Sequence, residues 1–79
     1  MNYIGIIYKT ATDGTFTRST EVKQSKEEAL EWFFSNCASA IGSGKYPKVK
    51  GRCEDEDFNK IADPVLYVKD EVNAETATE

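Results

Sequence analysis

The sequence predicts an α+β fold: one small domain over residues 1–72, an antiparallel four-stranded sheet with one main helix on one face, in the order β-β-α-β-β. Three observations predict it. Two runs rich in β-branched and aromatic residues flank Asp13-Gly14, as in a hairpin. A single amphipathic helical period follows Ser25. Two shorter runs of strand character, residues 48–53 and 65–69, come after it, with Asp63-Pro64 as punctuation between them. At 79 residues the chain has length for one domain and hides only about 60% of the surface its unfolded form exposes. Its 39% hydrophobic and 11% aromatic content is that of a folded protein.

The first two strands are expected at residues 3–8 and 15–22. A two-residue loop of Asp13-Gly14 would pair Ala11 with Phe16 and Gly5 with Val22, and would set Ile4, Ile6 and Tyr8 on the face opposite Phe16. A three-residue loop, Thr12-Asp13-Gly14 with Gly14 left-handed, pairs Thr10 with Phe16, Ile6 with Thr20 and Ile4 with Val22. It gathers Ile4, Ile6, Tyr8, Phe16 and Val22 on one face, which is then the expected core face. A one-residue slip reverses every side chain, so the second register is preferred.

The helix starts with a capping box, Ser25 with Glu28, and with Glu27 and Glu28 in its first turn. Leu30, Phe33, Phe34, Cys37 and Ile41 form its expected apolar stripe, and Gly42-Ser43-Gly44 ends it. Trp32 falls roughly opposite that stripe, which predicts an exposed indole, with burial under the C-terminal tail or on a wider buried arc of the helix as the alternative, since tryptophan is usually well buried. In the third strand, Pro47 favours a first or edge position, Val49 and Cys53 face one way, and Lys48, Lys50 and Arg52 the other. Residues 54–62 form a connection from which Phe58 and Ile61 are expected to dip into the core. Residues 73–79, acidic and without an apolar side chain larger than alanine, are expected to be a disordered tail.

Composition excludes more chemistry than it suggests. With no histidine, the chain lacks the commonest general base at neutral pH and any imidazole metal ligand. Its two cysteines, Cys37 and Cys53, form no C-x-x-C pair, so a zinc site is not expected. Gly42-Ser43-Gly44-Lys45 imitates a phosphate loop, yet Ser39 and Tyr46 stand where glycine and serine or threonine are required, and a helix ends before it. Asp55, Asp57 and Asn59 alternate like the first ligands of a calcium loop, but Lys60 and Leu66 occupy the positions that need glycine and glutamate. No signal peptide or membrane span is expected, the apolar run at residues 4–8 being short. A cytoplasmic location, free thiols, no metal and no cofactor are the resulting expectations.

Two surfaces remain. The first is protein-binding: exposed Trp32 flanked by Ala29 and Asn36, together with the carboxylates of Glu54, Asp55, Glu56 and Asp57, suited to a basic or nucleic-acid-handling partner. On this reading the chain is a small acidic, non-catalytic interaction module, a regulator, inhibitor or accessory subunit, that covers a partner's surface or forms a homodimer. Shortness, acidity and the missing catalytic motif are a profile shared with small inhibitors carried by phages and mobile elements, a likeness of composition only. The alternative is single-stranded nucleic-acid binding through an open sheet face carrying Lys48, Lys50 and Arg52 with Tyr67 and Tyr3. Against it stand the carboxylates of residues 54–57, within a Debye length of about 8–10 Å, and the net charge of −4; ordinary cross-strand charge pairing is the competing account of these cations. An enzyme is not expected, because no acid–base pair or activated nucleophile can be assembled from these residues.

Overall fold

A computed structural model describes residues 1–69. The expected tail at 73–79, the end of the expected domain at residues 70–72 and the acidic residues among them lie outside the described residues. Strands β1 (Tyr3–Thr10), β2 (Phe16–Lys23), β3 (Lys48–Asp55) and β4 (Val65–Val68) form one antiparallel sheet in the order β2-β1-β3-β4. Helix α1 (Lys26–Gly42) connects β2 to β3 and packs on β1 and β3. The α+β architecture is therefore the one the sequence predicts. Among the described residues, no helix is long and apolar enough to cross a membrane.

The β1–β2 hairpin adopts the three-residue loop. Thr10 pairs with Phe16, Ile6 with Thr20 and Ile4 with Val22. Gly14 takes a φ of 92°, a left-handed value that an L side chain rarely adopts. Asp13 Oδ1 accepts a hydrogen bond from the Thr15 backbone N–H at 2.9 Å, and that bond holds the Asp13 carboxyl below its ordinary pKa.

Register and facing part company here. The helix covers the side of the sheet that carries Tyr3, Gly5 and Ile7 of β1, Val49, Gly51 and Cys53 of β3, and Val65 and Tyr67 of β4. The expected core group Ile4, Ile6, Tyr8, Phe16 and Val22 shares the other side, with Phe16 and Val22 well exposed. The physical reason is the space a helix needs. A Cβ at Gly51 would lie 2.9 Å from Phe33 Cε1 and 2.9 Å from the Ile6 carbonyl oxygen, so Phe33 occupies the room glycine leaves. The buried hydrophobic side chains are Ile7, Ala29, Phe33, Cys37, Ala40, Val49 and Cys53, of which Phe33, Ile7, Val49 and Cys53 are the large fully buried ones. Small residues on both elements bring helix and sheet together, and close packing outweighs the number of large apolar side chains on the opposite face.

The same contact turns the helix about its axis relative to the expected stripe. Ala29, Phe33, Cys37 and Ala40 are buried, and Leu30, Trp32 and Ile41 flank them, half-buried. Phe34, expected in the core, is 50% exposed and meets Phe33 edge-on with ring centroids 5.2 Å apart. The helix ends behave as predicted. Ser25 Oγ accepts from the Glu28 backbone N–H at 3.3 Å, and Gly44, at φ 75°, follows the Ser43 C-cap. Beyond β3, Asp55 organises a tight turn in which Ile61 packs on the core but Phe58, at φ 68°, stands 83% exposed at the tip.

Candidate functional site

The uncovered side of the sheet can be built strand by strand. β1 contributes Ile4, Ile6, Tyr8 and Thr10, and β2 contributes Val22, Thr20, Arg18 and Phe16 opposite them. β3 contributes Glu54, Arg52, Lys50 and Lys48. β4 adds Leu66 beside Lys50 and Val68 beside Lys48. Alternation along each strand fixes these memberships, because consecutive side chains point to opposite sides. The cations of β3 thus run down the middle of the face, between the apolar and aromatic side chains of β1 and β2 and the aliphatic ones of β4.

Tyr8 and Phe16 stack with centroids 5.4 Å apart and planes 16° from parallel. A shallow trough of ≈ 770 Å³ runs between this pair and β4, with Lys48, Lys50 and Arg52 among its lining. Leu66 is 68% and Phe16 61% exposed, so large apolar groups border it without cover from the other described residues. Arg52 Nε lies 3.6 Å from Glu54 Oε2. Arg18, Lys48 and Lys50 make no ion pair among the described residues.

The charge is divided between the two sides of the domain. Among the described strand residues, Arg18, Lys48, Lys50 and Arg52 share the open face with Glu54, whereas Glu21, Glu27, Glu28 and Glu31 lie on the helix side together with Lys9, Lys23 and Lys26. All ten Lys and Arg residues lie in 1–69, as do ten of the fourteen Asp and Glu residues. Residues 1–69 are therefore formally neutral, and the chain's −4 resides in Asp70, Glu71, Glu75 and Glu79.

Several residues singled out from the sequence sit elsewhere than expected. Trp32 is half-buried, not exposed: its ring covers Gly5, where an added Cβ would come within 2.7 Å of Cζ3. Ala29 is 2% exposed and has no surface to offer a partner. Asn36 is exposed, but its Nδ2 donates to the Trp32 carbonyl at 2.8 Å. Tyr3 and Tyr67 are packed against the core on the helix side and do not join Lys48, Lys50 and Arg52. Tyr8 and Phe16 take the place expected for them.

The acidic run is dispersed as well. Glu54 pairs with Arg52, and Glu56 Oε1 accepts from the Asn2 backbone N–H at 2.6 Å. Asp55 Oδ1 accepts from the backbone N–H groups of Asp57 and Asn59, at 2.8 and 3.0 Å. The Asn59 backbone bond, with a lesser one from Asp57, holds the Asp55 carboxyl below its ordinary pKa. Asp57 alone of the four carboxylates is exposed with no bond to its side chain among the described residues. The run is a folded turn rather than a continuous acidic patch. Cys37 and Cys53 are buried free thiols whose pKa values are raised, first by burial. Among the described residues no three His, Cys, Asp or Glu side chains cluster as metal ligands would.

The sequence does hold a signal for the correct facing. Gly5 and Gly51 sit two residues from Ile7 and Val49 on the same strand sides, and Ala29 and Ala40 fall on the helix face that includes Phe33 and Cys37. Small residues in matching positions mark where helix and sheet approach. No family model, curated protein or solved structure matches the chain.

Proposed function

We propose that this protein is a non-catalytic binding module whose working surface is the open face of its sheet. The observation that carries the reading is the exposure of Phe16, Val22, Leu66 and Val68 on one side of a single sheet that also carries Lys48 and Lys50, which make no ion pair among the described residues. A monomer gains nothing from such a face. Exposed apolar side chains gathered in one place favour a covering surface, and a standard interface needs only about 800 Å² from each partner. The Trp32 side of the helix does not support the same reading, because its indole is engaged with Gly5. Nor does the face suit a second copy of itself. Laying two such faces together would oppose Arg18, Lys48, Lys50 and Arg52 to the same four cations.

The test is positional. A photo-crosslinking amino acid is placed at Leu66 on the open face or at Glu31 on the exposed helix, and each protein is irradiated in native lysate. The reading expects a discrete adduct from position 66 and none of comparable yield from position 31. Equal yields, or adducts from position 31 alone, overturn it.

A further inference from the structure

We infer that the open face binds single-stranded nucleic acid, with phosphates along the line of Lys48, Lys50 and Arg52 and bases against Tyr8 and Phe16. This deepens the binding-module reading and rests on it. The geometry distinguishes a polynucleotide from a protein segment. Lys48 and Lys50 stand in the middle of the face, with apolar or aromatic groups on both sides. Protein interfaces keep lysine out of their centres, where desolvating an unpaired ammonium is costly. A polyanion supplies a charge for each cation along its length, and its bases supply the flat apolar surface that the flanking rings accept. Alternate residues of β3 repeat every ~6.6–6.8 Å, which sets the cations in a row suited to an extended backbone.

The carboxylates that offset the row lie mostly off its strand positions: Glu54 alone stands beside Lys48, Lys50 and Arg52 on the open side of β3. Residues 1–69 are formally neutral, Glu27, Glu28 and Glu31 lie on the helix behind the sheet, and the chain's −4 resides in Asp70, Glu71, Glu75 and Glu79. Tyr8 and Phe16 stack beside the row, and Phe16 is 61% exposed at the edge strand β2, where a base can meet it.

The full chain is titrated against fluorescein-labelled oligouridylate and oligothymidylate of about twelve nucleotides, with fluorescence anisotropy as the readout. Duplex DNA and polyglutamate serve as comparisons. Binding is expected at low salt, with a slope of log affinity against log salt of roughly −2 to −3 for three or four neutralised phosphates. Lys50→Gln should reduce that slope by about 0.7. Phe16→Ala should weaken binding roughly 5- to 100-fold at unchanged slope, with Phe16→Leu in its place if the first variant melts early. Glu31→Gln should change neither.

Absence of oligonucleotide binding at low salt overturns the inference. So does competition by polyglutamate as strong as by oligonucleotide together with an indifferent Phe16→Ala, which would mean charge attraction alone. The crosslink at position 66 separates this failure from that of the broader reading. A protease-sensitive, nuclease-resistant adduct alongside silent oligonucleotides keeps the binding face and removes nucleic acid as its occupant.

Discussion

Trp32 lies with its six-membered ring over the backbone of Gly5, and this contact reverses the role its position in the helix suggests. Trp32→Ala is expected to cost about 1–3 kcal/mol in chemical denaturation, below the range for a fully buried aromatic because the indole is half-buried. An unchanged midpoint would show that the indole does not stabilise the sheet. Gly51→Ala should cost more than Gly5→Ala. The methyl at position 51 meets the Ile6 carbonyl oxygen at 2.9 Å, a backbone atom that cannot move aside, whereas at position 5 it meets a side chain. Equal melting temperatures for the two variants would contradict this. Phe58 gives the opposite sign. It is 83% exposed and holds a φ of 68°, a left-handed conformation that costs a non-glycine residue ~1–2 kcal/mol, so Phe58→Gly should raise the midpoint.

At the scale of elements, the hairpin and the β3–β4 turn each depend on one aspartate. Asp13 is bonded by the Thr15 backbone N–H and Asp55 by those of Asn59 and Asp57, and both carboxyls have folded pKa values below their ordinary ones. A group depressed on folding contributes stability that is fully present above its unfolded pKa and is lost as pH falls through the folded one. Thermal midpoints should therefore drop below about pH 4, and less steeply in Asp55→Asn than in the parent chain. Identical pH profiles would remove Asp55 from this role. The capping box, loop length and hairpin register are legible in sequence because they are local: each depends on residues a few positions apart and on backbone geometry that only certain side chains allow. Which side of the hairpin meets the helix is not local. It depends on β3, whose Gly51 lies opposite Ile7 only after residues 7 and 51 come together.

Across the whole molecule, one helix covers one side of the sheet and leaves the other open, so stability and binding draw on different residues. Phe33, Val49 and Cys53 hold the domain together, while Lys50, Leu66 and Phe16 lie on its uncovered surface. Leu66→Asp should leave the unfolding free energy within about 0.5 kcal/mol of the parent, as for surface substitutions in general, yet abolish the crosslinking partner captured at a neighbouring open-face position. A large loss of stability would place Leu66 in the core instead. Cys37 and Cys53, with burial raising their pKa values, should react with a thiol reagent only as fast as the domain unfolds. Rapid labelling of either under native conditions would contradict the packing described.

The order of the elements, the caps of the helix, the turn at Gly14 and the outward placement of Lys48, Lys50 and Arg52 follow from the sequence alone, since propensity and alternation act over short distances. Tertiary packing decided that Ile4, Ile6, Tyr8 and Phe16 would join those cations and that Trp32 would turn inward, with only the small residues at the contact to mark it in the sequence. Counting apolar side chains per face weighs how much can be buried. The folded chain also weighs how closely two elements can approach, and the glycines of β1 and β3 settle that in favour of the smaller face.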